Sequence, residues 1–462
     1  MVMLSKAALR ALLFAIVVIL ALPFGDPVLG PSAAWADDHD GDDGDDDDDD
    51  DDDDGRGSVG FGGGEARAER ERDRPRASVV RRQSIDTPAP RRAAPAPAPV
   101  IRAIAAPEIL ATGVGPEDLA QLLTEGFVLL EERSLPRIGL AVSRLAPPSG
   151  STLEAARDRV RALPSAPVAD LNHFYRSSQA VEIALPACTD LNCDARLLAG
   201  WPAQGCGAPV RIGVIDTGVN ADHEILSGAA LEVLSLTDGA GDPSQAIHGT
   251  AIVSLLVGGP DSRVPGLLPR AEVVAVDIFA RERGDERASA LSLLLGLDLL
   301  AGRDLRVVNL SLSGPENSLL SDLMTRLAAE RGMVFVAAAG NGGPDAPPAW
   351  PAAHPDAIAV TAVDTRGRVW RGAQRGDHLD LAAPGVDLLL ATSIRGARPQ
   401  TGTSFAVPFV TAAAALLARL EGMQTPQAVA EALRAAARDA GAEGADPVFG
   451  AGIVDATGFC TE

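Results

Sequence analysis

The chain is built around Thr401-Gly402-Thr403-Ser404-Phe405-Ala406-Val407-Pro408, a stretch that runs directly into the apolar residues 409–420. Because Gly402 has no side chain, a tight turn is expected there. Pro408 is expected in the first turn of the helix that follows, where its missing N–H costs little. That helix is apolar on all sides, which is typical of a helix inside a large core. Ser404 is therefore predicted at a helix start, either as a helix cap or as a nucleophile that a base activates.

The composition limits the class of protein. The chain has 462 residues, which is enough for two or three domains, and a formal net charge of −23. Much of that charge lies in residues 37–54, which are nearly all Asp. Net acidity argues against nucleic acid as the main partner.

The N-terminal residues have the pattern of an export signal. Lys6 and Arg10 precede an apolar run at residues 11–22, and Ala34-Trp35-Ala36 provides a small-x-small cleavage site. We expect residues 1–36 to be a signal peptide, since the apolar run is short for a membrane-spanning helix; an uncleaved anchor is the alternative. The protein is then secreted or periplasmic, with no stable membrane anchor after signal removal. Residues 37–106 are acidic, then rich in Gly and Arg, then in Ala and Pro, and are expected to be disordered.

Four cysteines fit an oxidising compartment, and their wide spacing is unlike that of a zinc site. They permit three pairings. We favour Cys188–Cys193, which closes a small loop, and Cys206–Cys460, which clasps the end of the chain.

Residues 107–178 predict a small α+β module. Strands are expected at 108–114, 127–132, 137–145 and 167–175, and helices at 116–126 and 151–163. Ser151 and Glu154 have the spacing of a capping box. The order strand–helix–strand–strand–helix–strand is that of a ferredoxin-like module.

Residues 210–458 predict a larger α/β domain. Apolar strands at 210–216, 273–279, 306–311, 333–339 and 357–363 alternate with helices at 249–258, 289–301 and 318–331. This alternation indicates a parallel sheet covered on both faces, in which reactive residues gather at the carboxyl ends of the strands.

Three further polar residues lie at the ends of apolar segments of this domain. Asp216 ends a buried strand, where its charge requires a partner. His248 begins an apolar helix, and Asn341 ends a strand of small residues. Each also has a structural interpretation, as a turn cap, a core histidine or a residue in a left-handed turn. Their presence in one domain with Ser404 favours a catalytic site.

Together these segments resemble the subtilisin-like serine proteases, the subtilases. The resemblance covers about residues 201–458 and rests on ordered motifs: Val214-Ile215-Asp216-Thr217-Gly218, His248-Gly249-Thr250, Asn309-Leu310-Ser311-Leu312, Ala338-Ala339-Gly340-Asn341, Ala383-Pro384-Gly385, Gly402-Thr403-Ser404-Phe405-Ala406-Val407-Pro408, and a closing strand at 449–455. It implies a subtilisin-like peptidase domain at residues 179–462, with helices on both faces of a parallel sheet. The module at 107–178 is similar to a subtilase propeptide; an accessory domain without an inhibitory role is the alternative.

The resemblance also implies a role for each matched residue. Ser404 attacks the peptide carbonyl, His248 carries the proton, Asp216 orients His248, and Asn341 stabilises the oxyanion. The backbone edge that pairs with substrate is expected at Ser311, Leu312 and Ser313. The primary specificity pocket is expected to be walled by the small residues Ala338, Gly340 and Ala349. We expect such a pocket to accept a large apolar side chain.

The expected protein is thus a self-processing endopeptidase that acts on polypeptides through an acyl-enzyme and has its own module as a partner. We expect a monomer that needs no cofactor for the chemistry; family calcium sites are loop-built and variable, and none is located in the sequence. Two alternatives remain. One is an inactive relative that binds a partner at the cell envelope. The other is an accessory protein whose N-terminal tails carry the function and whose protease only releases them.

Overall fold

The computed structural model describes residues 103–177, 191–236 and 241–460. The predicted signal peptide, the Asp tract and Cys188 lie outside these residues. Within them, no helix combines the length and the apolar character needed to cross a membrane.

The first described segment forms an antiparallel sheet with two helices. Its elements are β1 Ala105–Thr112, α1 Pro116–Thr124, β2 Val128–Leu135, β3 Leu140–Ala146, α2 Leu153–Arg161 and β4 Val168–Ser177. The strands lie in the order β2-β3-β1-β4, and each neighbouring pair is antiparallel. The predicted order of six elements is therefore confirmed.

The start of α2 differs from the expected capping box. The N-cap is Thr152, whose Oγ1 accepts a hydrogen bond from the backbone N–H of Ala155 at 3.2 Å. Ser151 lies one residue outside the helix and donates to the Thr152 carbonyl. The prediction was wrong by one residue because Ser and Thr are comparable N-caps, so the local sequence does not choose between adjacent ones.

The remainder of the described chain is an α/β domain. Its elements are α3 Leu191–Leu198, β5 Arg211–Asp216, a short 3₁₀ turn Glu224–Leu226, β6 Ala230–Ser235, β7 Asp242–Pro243, α4 Ile247–Val257, β8 Glu272–Asp277, β9 Phe279–Glu282, β10 Asp285–Ser289, α5 Ala290–Ala301, β11 Val307–Leu310, β12 Leu312–Ser313, α6 Ser318–Arg331, β13 Val334–Ala338, β14 Ala357–Val363, β15 Leu381–Pro384, β16 Leu388–Ala391, β17 Ala397–Gln400, α7 Thr403–Leu417 and α8 Pro426–Ala436. Seven strands form a parallel sheet in the order β15-β14-β13-β11-β5-β8-β6.

Both faces of the parallel sheet are covered, as the uninterrupted apolar strands predicted. On β5, Ile212 and Val214 pack into the core cluster that contains α4, α7 and α8. Ile215, the next residue, packs into the cluster on the other face, with α5 and α6. Successive side chains of a strand alternate between faces, so one apolar run supplies both cores. All residues of α7 are buried.

The module packs on the face of the sheet that α5 and α6 cover. Leu110 and Val142 of the module belong to the same buried cluster as Leu291 and Leu320 of the larger domain. Ile109, beside Leu110 on β1, instead belongs to the module's own core under α1 and α2. Strand β1 of the module is therefore buried on both faces, whereas β2, at the outer edge of the sheet, is mostly exposed.

Two expectations for the C-terminal region are corrected. Pro408 is the sixth residue of α7, beyond the first turn. Residues 449–455 form isolated bridges, through Gly450 and Ile453, instead of a strand. Gly450 and Gly452 have φ values of 62° and 125°, which interrupt an extended backbone.

The disulfide predicted between Cys206 and Cys460 is present, with 5.6 Å between the two Cα atoms. It joins the segment before β5 to the end of the described chain. The pairing of Cys188 with Cys193 stays a prediction.

Candidate active site

Asp216 and His248 form a hydrogen-bonded pair at the carboxyl rim of the parallel sheet. His248 Nδ1 lies 2.8 Å from Asp216 Oδ1 and 3.0 Å from Oδ2, and both side chains are buried. Asp216 Oδ1 also accepts from the backbone N–H of Thr217 at 2.7 Å. A carboxylate can only accept, so the Nδ1 atom of His248 carries the proton. This tautomer makes Nε2 a proton acceptor.

The backbone beside His248 is close enough to require glycine. A Cβ atom on Gly249 would lie 2.2 Å from the Thr217 carbonyl oxygen. With glycine there, the Gly249 N–H donates to Thr217 Oγ1 at 2.9 Å. The start of α4 is thereby held against the loop that follows Asp216, which sets the distance between the two catalytic candidates.

Ser404 is the second residue of α7 and is fully buried. Its Oγ donates to the Ser311 carbonyl at 3.2 Å, while Ser311 Oγ donates to the Ser404 carbonyl at 3.0 Å. Among the described residues, His248 Nε2 has no hydrogen-bond partner. The structure thus brings Asp216 and His248 together and directs the Ser404 hydroxyl at Ser311. A serine has one torsion that moves Oγ, and apo catalytic sites commonly lack the final hydrogen bond.

Pro408 explains why the Ser404 carbonyl is available to Ser311. In a regular helix that carbonyl would accept from the N–H four residues later, and residue 408 has none. The vacant acceptor instead receives Ser311 Oγ, which in turn accepts from Asn309 Nδ2 at 2.8 Å. The proline therefore connects the nucleophile's helix to β11, a contact that its position in the sequence did not reveal.

Asn341 follows β13 and presents an amide donor beside Ser404. Its Oδ1 accepts from the backbone N–H of Thr403 at 3.1 Å and from Thr403 Oγ1 at 2.8 Å. These two donors fix the amide orientation, so Nδ2 points away from Thr403. Nδ2 is buried without a partner among the described residues. A Cβ atom at Gly402 would lie 3.1 Å from Nδ2, so glycine keeps this donor accessible. The Ser404 N–H lies in the first turn of α7 and has no acceptor within the helix.

The backbone edge at residues 311–313 already pairs with a strand. Leu312 lies opposite Ser177 and Ser313 opposite Arg176, both on β4 of the module. On its other side, β4 pairs with β10 through Phe174 and Tyr175. The end of β4 thus lies antiparallel between two strands of the larger domain.

Tyr175 anchors this end of β4. Its side chain is fully buried, and its hydroxyl donates to the Pro315 carbonyl at 3.1 Å. A Cβ atom on Gly314 would come within 2.5 Å of the ring. Burial raises the pKa of the Tyr175 hydroxyl, which stays a hydrogen-bond donor.

The three residues expected in the pocket wall are not equivalent. A Cβ atom on Gly340 would lie 3.1 Å from Ala349 Cβ, so these two residues face each other. The Ala338 side chain is fully buried in the main core. Sequence reasoning missed Gln374, whose N–H donates to the Gly340 carbonyl and whose Nε2 donates to the Pro347 carbonyl. Gln374 therefore connects the backbone at Gly340 with the backbone at Pro347, and no local sequence pattern marks it.

A second carboxylate, Asp277, lies at the same rim as Asp216. The two residues are paired in register on β5 and β8. Ser244 Oγ donates to Asp277 Oδ2 at 2.9 Å and accepts from the Gly218 N–H at 2.8 Å. Burial raises the pKa of Asp277 to about 6, and the negative charges of Asp216 and Glu286 act in the same direction.

No group of three or more His, Cys, Asp or Glu side chains in the described ranges is arranged to hold a metal ion. The chemistry of an Asp-His-Ser site requires none.

Comparison with known proteins identifies the family. Residues 207–452 match the model of the subtilase family. Subtilisin BL of Lederbergia lenta is 31% identical over 255 residues, which cover 54% of this chain and 90% of that protein. The minor extracellular protease Epr of Bacillus subtilis (strain 168) is 27% identical over 255 residues, which cover 55% of this chain and 39% of Epr. A solved structure of the patellamide maturation protease PatA is 31% identical, covers 55% of this chain and 96% of its own, and has a TM-score of 0.48.

The chain belongs to the subtilase family, the subtilisin-like serine endopeptidases. Members of this family need no cofactor for catalysis.

Proposed function

We propose that this chain is an exported, self-processing serine endopeptidase in which Ser404, His248, Asp216 and Asn341 perform the chemistry. The observation that carries the proposal is the Asp216–His248 pair, because it directs Nδ1 at the carboxylate and leaves Nε2 without a partner among the described residues, at the rim where the nucleophile's helix begins. Burial of Asp216 excludes water from the pair, which strengthens its electrostatic hold on the charged imidazole that forms during catalysis.

The reaction uses four groups in sequence. Ser404 Oγ bonds to the peptide carbonyl carbon as its proton passes to His248 Nε2. Asn341 Nδ2 and the Ser404 N–H hold the negative oxygen that results. When the C–N bond breaks, the leaving amine takes the proton from Nε2, and an acyl-enzyme remains. Water then attacks the acyl carbon as its proton passes to His248 Nε2. When the bond between the acyl carbon and Ser404 Oγ breaks, Oγ takes the proton from Nε2 and the acid is released.

The module at residues 107–178 is proposed to block the active site before processing. While β4 lies between β10 and β12, another extended peptide cannot pair with Leu312 and Ser313. The module also satisfies helix ends of the peptidase domain: Asn172 Oδ1 accepts from the Leu291 N–H of α5, and Asp170 Oδ2 accepts from the Ser318 N–H of α6. Partners at these helix starts support a role in folding as well as in inhibition.

The register of β4 supports a particular self-cleaved bond. Ser313 lies opposite Arg176 and Leu312 opposite Ser177. A strand that kept this register would have its next residue opposite Ser311. The Ser311 carbonyl is the group that contacts Ser404 Oγ. We therefore propose cleavage between Ser178 and Gln179, two residues that lie outside the described part of the chain. Presentation by the docked module replaces affinity for the pocket, so a serine at this position is compatible with a pocket that prefers apolar side chains.

The second candidate function is that of an inactive relative that binds a partner. The observation that favours it is the Ser404 hydroxyl, which contacts Ser311 instead of His248. An active enzyme must release this contact before each turnover, whereas a binding protein need not.

Paired mass spectrometry and active-site labelling test the proposal. We expect purified wild-type protein to begin at Gln179 and to react with a fluorophosphonate probe. Ser404→Ala should keep the module and remain unlabelled, whereas Ser227→Ala, a change at an exposed residue, should behave as wild type. An identical N-terminus in wild type and Ser404→Ala would show that another protease cuts the chain. Unprocessed and unlabelled wild-type protein would favour the binding function.

A further inference from the structure

The end of β4 carries a charged contact with the larger domain through Arg176, whose Nη2 atom also donates to the Ala103 carbonyl at 3.0 Å. Arg176 Nε donates to Asp285 Oδ1 at 3.0 Å, and Arg176 Nη2 donates to Asp285 Oδ2 at 2.7 Å. Asp285 begins β10, so this ion pair joins the module to the peptidase domain. The two side chains are 21% and 16% exposed, respectively, which shields the pair from most of the solvent.

The geometry of this contact distinguishes arginine from other side chains. Two parallel N–H donors meet the two oxygens of one carboxylate, an arrangement that the planar guanidinium fits and that a lysine ammonium does not reproduce. The hydrogen bond from Arg176 holds the pKa of Asp285 below its ordinary range, with a further contribution from Arg287. Asp285 therefore presents a negative charge throughout the neutral pH range.

The surroundings of Asp285 keep it in place when β4 is absent. Arg287 Nη1 lies 3.1 Å from Asp285 Oδ2 and belongs to the same strand. Arg287 also pairs with Glu282 on β9, so its charge is already balanced by a second carboxylate. The Asp285 carboxylate is thus oriented by its own hairpin, at the place where it meets the guanidinium of an arginine on an extended strand.

We propose that Asp285 forms a subsite for an arginine side chain, at the third residue before the cleaved bond of a polypeptide substrate. The inference rests on the proposed function, because Arg176 is three residues before that bond only if the register of β4 continues to Ser311. In this position a substrate strand pairs with Ser313 through its backbone and with Asp285 through its side chain. The substrates selected are extended polypeptides with a Tyr-Arg pair, the sequence of residues 175–176.

The same ion pair could serve only to hold the module in place. The two roles differ in their effect on a separate peptide. An anchor for the module has no influence on which of two free peptides is cleaved, whereas a subsite selects between them.

An internal-competition assay with wild-type protein, expressed from the complete sequence, tests the proposal. Two peptides with the sequence of residues 172–181 are mixed, one unchanged and one with Glu in place of the arginine, and the loss of each is followed by mass spectrometry. Because both compete for the same enzyme, the ratio of their kcat/KM values does not depend on the active fraction or on inhibition by the module. We expect kcat/KM to be about tenfold higher for the arginine peptide, because Asp285 attracts the guanidinium in a shielded, bidentate pair and repels the Glu carboxylate.

Variants at residue 285 complete the test. Asp285→Ala should remove most of the preference, and Asp285→Arg should reverse it in favour of the Glu peptide. Asp242→Ala, a change at an exposed carboxylate on the outer strand β7, should keep the wild-type ratio.

Equal consumption of both peptides by the wild type would overturn the proposal, as would labelling by the fluorophosphonate probe without cleavage of either peptide. A preference that persists unchanged in Asp285→Ala and Asp285→Arg would also overturn it. Absence of both cleavage and labelling would instead refute the proposed endopeptidase function.

Discussion

Replacing Asp277 by asparagine is expected to stabilise the protein at neutral pH and to have little effect in acid. The ordinary carboxyl pKa of 3.8 rises to about 6 in the fold, chiefly because the group is buried. Each tenfold change in an ionisation constant corresponds to about 1.4 kcal/mol, so the ionised Asp277 costs about 3 kcal/mol of folding free energy. Asparagine has nearly the same shape and carries no charge, so it avoids this cost.

The sign follows from proton linkage. Between about pH 4 and pH 6 the folded protein holds a proton on Asp277 that the unfolded chain has released, so rising pH lowers the wild-type free energy of unfolding. The advantage of Asp277→Asn should therefore be near zero below about pH 4, grow across this window, and stay constant above about pH 6. A constant offset from altered hydrogen bonds to Ser244 and Phe279 does not change this shape.

Urea unfolding, followed by tryptophan fluorescence at pH values from about 4 to about 8, measures the effect. Both proteins should carry Ser404→Ala, so that proteolysis does not compete with unfolding. Asp364→Asn is a control of opposite sign. Despite some burial, the N–H groups of Arg366 and Arg368 and the Arg368 guanidinium hold the pKa of Asp364 below its ordinary value. That variant should lose stability as pH rises from acid to neutral, relative to the same parent.

A difference between Asp277→Asn and its parent that is the same at every pH would refute the argument. It would mean that ionisation of Asp277 carries no cost in the folded protein. An increasing loss of stability with pH would show that Ser244 and Phe279 stabilise the carboxylate more than burial destabilises it.

Two further perturbations probe other parts of the site and fold. Gly402→Ala should lower kcat at least about tenfold, because the new Cβ atom lies 3.1 Å from Asn341 Nδ2. Thermal stability should change little, because the backbone at residue 402 is extended and alanine also adopts that conformation. An unchanged kcat in steady-state peptide assays would exclude Nδ2 as the oxyanion donor. Cys206→Ser combined with Cys460→Ser should lower the free energy of unfolding by about 2–5 kcal/mol, because the bond closes a long loop in the unfolded chain. Equal denaturant midpoints for this variant and its parent would contradict that role.

The elements that could be predicted from sequence are those with a local cause. The helix at Ser318–Arg331 and the strand at Ala357–Val363 have the bounds that their apolar patterns indicated. The six elements of the module appear in the predicted order, because each is marked by its own periodicity and its own Gly or Pro boundary.

Two of the predictions that were wrong concern positions at the start of a helix. Ser151 and Thr152 are adjacent N-cap candidates, and contacts elsewhere in the fold decide between them. Pro408 satisfies the rule for a first turn, but it is the sixth residue of α7. The helix tolerates it there because Ser311 Oγ donates to the Ser404 carbonyl that the missing N–H of Pro408 leaves without a helical donor. Tertiary hydrogen bonds thus override a local preference.

What the sequence determined by itself was the set of candidate groups, namely Asp216, His248, Asn341 and Ser404 on the ends of buried elements. The reason is that apolar periodicity and short motifs are properties of neighbouring residues. Only the tertiary structure decided the pairing of His248 with Asp216, the contact of Ser404 with Ser311, and the position of β4 between β10 and β12. These contacts join residues that are far apart in the chain, and their energies depend on burial and direction, which exist only once the chain has folded.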